Sequence, residues 1–85
     1  MRITNNDDRE RSYFVYNYED THQGGALASG PIKPHTDWDW TPPDNGSGSY
    51  TVLIKRDPSG GSIMAGGSGG KTATFVFNGY TLVVS

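Results

Sequence analysis

Lys71-Thr-Ala-Thr-Phe-Val-Phe-Asn-Gly-Tyr-Thr-Leu-Val-Val-Ser85 reads as two extended segments closed by Asn78-Gly79, a dipeptide that supplies the positive φ angles of a tight hairpin turn. With those two residues as the turn, Phe77 faces Tyr80, Phe75 faces Leu82 and Ala73 faces Val84. One side is then apolar throughout, while Thr72, Thr74, Val76, Thr81, Val83 and Ser85 lie on the other. The pattern sets an all-β expectation for the rest of the chain.

Upstream, the same period-two alternation recurs between turn-forming clusters. Residues 2–5 form a first candidate strand. Residues 12–18 form a second, with Phe14, Tyr16 and Tyr18 on one face and Tyr13, Val15 and Asn17 on the other, both faces partly covered. Residues 19–34 are rich in Gly, Ala, Ser and Pro and read as a long connection between sheets. Residues 35–40 alternate strictly, Trp38 and Trp40 against His35, Asp37 and Asp39. Residues 41–48 are a proline-rich turn. Residues 49–56 form a strong strand with Tyr50, Val52 and Ile54 inward and Leu53 alone among apolar residues outward. Residues 63–65 are briefly apolar, and Gly66-Gly-Ser-Gly-Gly70 reads as a flexible link. No stretch of about ten residues free of Gly and Pro repeats apolar positions with helical spacing. The expectation is a single domain over 1–85: a small antiparallel β-sandwich or partly open Greek-key barrel of about six strands without helix.

Composition bounds what such a domain can do. The 85 residues are only 33% hydrophobic and include 12 Gly, so five Tyr, three Phe and two Trp must fill much of the core. No cysteine is present to supply a disulfide or a thiolate metal site. A net charge of -2 with seven Lys and Arg gives no basic surface for nucleic acid. Arg9 and Arg11 stand beside Asp7, Asp8 and Glu10 and are locally neutralised. No apolar run reaches the ~18 residues of a membrane span, and the start lacks the apolar stretch of a signal peptide, which suits a cytoplasmic protein, leaderless secretion or a mature fragment.

Two groups of residues could carry function. Trp38 and Trp40, two apart on a strand, would lie about 6.6 Å apart on one face. Two exposed indoles at that spacing make a platform on which the C–H face of a sugar ring can stack. Asp44, Asn45 and His22, in neighbouring turns, could bond its hydroxyls. His35, Asp37 and Asp39 share the opposite face, but they are too few to complete a zinc or calcium shell, and no metal or other cofactor is expected. No local pattern activates a nucleophile, and two carboxylates on one strand face do not flank a scissile bond. Gly66–Gly70 leads into a strand, which is unsuited to a phosphate loop.

The sequence therefore predicts a non-enzymatic binding module, lectin-like and carbohydrate-binding through its aromatic platform. Two alternatives stand beside it. One is a protein-interaction domain, a proteinase inhibitor or toxin-like effector presenting a proline-stiffened loop at residues 30–35 or 41–49. The other is a homo-oligomeric structural β protein that buries Leu53, Val76 or Val83 between copies.

Overall fold

The computed structural model describes residues 1–18 and 25–85. Among them there is no helix, and eight strands follow in order: β1 (Arg2–Asn5), β2 (Arg11–Asn17), β3 (Ala28–Ile32), β4 (Thr36–Asp39), β5 (Tyr50–Asp57), β6 (Gly60–Gly69), β7 (Thr74–Phe77) and β8 (Leu82–Val84). They form two four-stranded sheets, β4-β1-β7-β8 and β3-β2-β5-β6, so the all-β sandwich expected from the sequence is the observed architecture. Every ladder is antiparallel except β1 with β7, which run parallel with Ile3 opposite Phe75.

The core lies between the sheets. Ile3, Phe75 and Phe77 enter from the first sheet; Tyr13, Val15, Ile32, Tyr50, Val52 and Ile54 enter from the second. These are the residues that strand alternation turns inward, and aromatic rings supply the volume that a glycine-rich chain lacks. Asn5 is buried beside them, with its amide donating to Arg9 O (2.8 Å) and Ile32 O (3.0 Å) and its oxygen accepting from Asp7 N (3.0 Å). A buried amide is tolerated only when satisfied in this way. On the outer face of the second sheet, the Lys55 ammonium caps the half-buried Phe14 ring at 4.1 Å.

Three details depart from the sequence reading. The terminal hairpin turns through residues 78–81, so Phe77 pairs with Leu82 rather than Tyr80. Asn78 Oδ1 accepts from Tyr80 N and Thr81 N, both at 2.9 Å, and this side-chain cap widens the turn. The register shift is even, so every side chain keeps its predicted face, except that Tyr80 leaves the ladder and is 86% exposed.

The connection expected over 19–34 contains β3. Pro31 disguises it in the sequence, yet an edge strand tolerates a missing N–H.

The third correction is the supposed link at 66–70, most of which belongs to β6, with Gly67 opposite Val52 and Gly69 opposite Tyr50. Its glycines reflect close approach rather than flexibility. A Cβ on Gly67 would stand 2.8 Å from Val84 Cγ2. One on Gly69 would meet Ala73 Cβ at 2.9 Å, Val84 Cγ1 at 3.0 Å and Phe75 Cζ at 3.1 Å, and one on Gly66 would meet Leu53 Cδ2 at 2.9 Å. Bare backbone on β6 lets β8 of the opposite sheet close that side of the sandwich, and lets Leu53 lie across Gly66.

Candidate binding site

The opposite side, between edge strands β3 and β4, is closed by rings. Alternation on β4 places Trp38 on the inner face opposite Ile3, and Trp40 follows on the same side. From β2, Tyr13 crosses the gap and stacks on Trp38 with centroids 4.1 Å apart and planes at 27°. Trp38 stacks in turn on Trp40 at 5.5 Å and 26°. Gly30 on β3 makes room for this stack, since a Cβ there would lie 3.1 Å from the Tyr13 hydroxyl oxygen. Burial raises the Tyr13 phenol above its ordinary pKa.

Both indoles are half-buried and packed against the core. They lean on one another, so the arrangement is a three-ring pile rather than two indoles side by side. Trp38 stacks with both Tyr13 and Trp40, whereas Trp40 stacks with Trp38 alone among the described residues. Main-chain bonds fix its position: Trp40 N donates to Met1 O (3.0 Å), and the Met1 ammonium donates to Trp40 O (2.6 Å).

The turn after Trp40 is braced from within. Pro42 is buried, and the Tyr50 hydroxyl donates to Pro43 O. Asn45 donates its amide to Ser49 O (2.7 Å) and Asn17 Oδ1 (3.2 Å), and its oxygen accepts from Gly48 N (2.9 Å), Ser47 N (3.1 Å) and Ser47 Oγ (3.1 Å). Gly46 and Gly48 take φ of 82° and 73°, where a side chain would be strained. The Asn45 amide is thus engaged in holding the loop.

Asp44 is exposed and pairs with Lys71 Nζ at 2.5 Å, which raises the lysine pKa chiefly through that hydrogen bond. The structure therefore keeps Trp38 and Trp40 together and sets Asp44 and Asn45 in the turn that follows. His22 lies outside the described residues.

On the outer face of β4, Asp37 accepts from Thr4 Oγ1 (2.6 Å) and Asp39 accepts from Arg2 Nε (2.8 Å) and Nη2 (3.1 Å). The Arg2 hydrogen bond is the main cause of the lowered Asp39 pKa and of the raised Arg2 pKa. His35 does not continue this face. It sits in the turn before β4 at φ 55°, and its ring nitrogens meet Asn6 Oδ1 (3.1 Å) and Asp8 Oδ1 (2.9 Å). Among the described residues, no three His, Asp or Glu side chains gather as a metal site would require.

Sequence reasoning missed two participants. Tyr13 completes the stack, and its only signal was Gly30, a glycine within a strand that marks close approach of a large group. Lys71 reaches Asp44 from a distant part of the chain, and nothing local announces that pairing. Comparison with protein-family models, curated proteins and solved structures finds no match to this chain. Among the described residues, no helix is long and apolar enough to cross a membrane.

Proposed function

We propose that the protein is a non-enzymatic binding module that takes a carbohydrate ring on Trp40, with the adjoining turn supplying hydrogen bonds. The observation that carries this reading is the Tyr13–Trp38–Trp40 stack. A ring held from behind by another ring loses little freedom when a ligand stacks on it, so less of the binding energy is spent on ordering the site. The exposed Asp44 carboxylate, beyond its bond to Lys71, has acceptor capacity for ligand hydroxyls. A non-catalytic role is supported by His35, whose ring nitrogens bond Asn6 and Asp8 rather than a hydroxyl that they could activate.

Tryptophan emission during titration with neutral, acidic and amino sugars tests the reading. The expected result is a saturable shift for one sugar class that disappears in Trp40→Ala. Silence from every class would overturn it.

A second reading rests on the braced turn at residues 41–49. Pro42, Tyr50 and Asn45 stiffen it, and a stiff loop suits docking against a protein surface. Capture of one defined protein by the native chain, lost when Asn45→Ala loosens the loop while sugar titrations stay flat, would favour this reading over the first.

A further inference from the structure

The chain holds the dipeptide Asn-Gly twice, at 45–46 and 78–79, in two different settings. We propose that Asn78 is a site of spontaneous intramolecular deamidation and that Asn45 is protected by the fold. Asn followed by Gly is the dipeptide in which the next backbone nitrogen most readily reaches the side-chain carbonyl carbon, because Gly has no Cβ to block the approach.

At the β7–β8 turn, Asn78 is exposed, and Gly79 sits at φ 100° in open surroundings, where an added Cβ would meet nothing closer than Asp7 Oδ1 at 3.6 Å. Asn78 Oδ1 accepts two main-chain N–H bonds, from Tyr80 and Thr81, as Asn45 Oδ1 does from Ser47 and Gly48, so the two sites differ in their remaining contacts. The Asn78 amide nitrogen, the leaving group, is held among the described residues by the exposed Thr81 hydroxyl alone, at 3.2 Å. Asn45 is half-buried instead. Its amide nitrogen is pinned by Ser49 O and Asn17 Oδ1, and its oxygen takes a further bond from Ser47 Oγ, so turning the side chain toward Gly46 N breaks two more bonds than the same turn breaks at Asn78.

In the reaction, Gly79 N forms a bond to Asn78 Cγ as the Cγ–Nδ2 bond breaks, and the proton lost from Gly79 N leaves with the amide as ammonia. Water then opens the cyclic imide. Attack at Cγ gives aspartate, whereas attack at the main-chain carbonyl gives isoaspartate, whose backbone is longer by one carbon. That extra carbon enters the turn that sets Phe77 opposite Leu82. Strand β8, which packs Leu82 and Val84 over Gly67 of β6, is therefore the element the modification loosens.

Incubation of the native chain at mildly alkaline pH, followed by peptide mapping for the mass gain of an amide exchanged for an acid, reads both sites at once. The expected result is conversion at Asn78 about tenfold or more faster than at Asn45, since each additional hydrogen bond at Asn45 slows release several-fold. In strong denaturant the two rates should converge. Equal rates in the native state, faster loss at Asn45, no conversion at Asn78, or a ratio that survives denaturant would each overturn the proposal. In the converted fraction, amide exchange over residues 82–84 should quicken. Asn78→Asp, which adds the charge without lengthening the chain, should quicken it less; an equal effect would overturn the assignment to the longer backbone.

Discussion

Replacing Gly69 with Ala tests whether β6 is a packed strand or a flexible link. The added methyl would stand 2.9 Å from Ala73 Cβ, 3.0 Å from Val84 Cγ1 and 3.1 Å from Phe75 Cζ. Ala73 and Phe75 flank the start of β7, and Phe75 is fully buried, so it has little room to yield. Overpacking of this kind costs about 1–3 kcal/mol. Loss of glycine's freedom in the unfolded chain offsets about 0.4–1 kcal/mol. The net is a destabilisation of about 1–2 kcal/mol, or a fall in Tm of about 5–15 °C for a domain of this size. Chemical denaturation should show a lower midpoint with an unchanged slope. Adding Val84→Ala clears one of the collisions, so the double variant should lose less than the two single losses combined. Gly25→Ala is the control: among the described residues nothing lies within 4 Å of its Cβ position, and stability should hold or rise slightly. If Gly69→Ala proves as stable as the parent or more so, residues 66–70 behave as a link, and the account of how the sheets meet at β6 and β8 fails.

Two further outcomes follow from particular groups. Arg11 is nearly buried, and its Nε and Nη2 donate to Asp7 Oδ2 at 3.0 and 2.8 Å, which holds the Asp7 carboxyl below its ordinary pKa. A lowered native pKa contributes stability that is complete above the unfolded carboxylate value of about 3.9 and is lost as pH falls through the native value. Asp7→Asn should therefore cost about 2 kcal/mol at neutral pH, where a charged hydrogen-bond partner is removed, and should flatten the acid limb of a stability–pH curve; an unchanged acid limb would refute the assignment. Tyr50→Phe removes the donor to Pro43 O and should cost about 1 kcal/mol, with faster amide exchange in the 41–49 turn but not in β7.

The sequence announced strands wherever alternation was written in large side chains. Residues 2–5 are β1, and the inward set Tyr50, Val52 and Ile54 is buried as alternation required. It hid strands wherever small residues did the work. Ala28-Ser-Gly-Pro-Ile32 and Gly60–Gly69 have the composition of loops, because one is an edge beside Tyr13 and the other must admit the opposite sheet. At the site, alternation correctly placed both indoles on one side of β4. It could not say that Tyr13 would arrive from another strand and draw them into a stack, since that contact depends on how two sheets are superposed. The departure of His35 from the face of Asp37 and Asp39 rests on a single left-handed residue, which period-two reasoning does not register.

The parallel pair of β1 and β7 also governs the order in which the molecule can assemble. Every strand of the second sheet has a neighbour it can meet without waiting for β7 or β8, and β5–β6 is a direct hairpin. In the first sheet β1 can meet β4 early, but its other neighbour is β7. Ile3 is flanked by Trp38 on one side and by Phe75 on the other, and the second of those contacts is far more distant in sequence than the first. Closing so large a loop must precede any reward from the contact, which slows folding. On a ribosome, β1 therefore stays half-paired until β7 has emerged, and docking of β7 is the event that commits the domain to its native form.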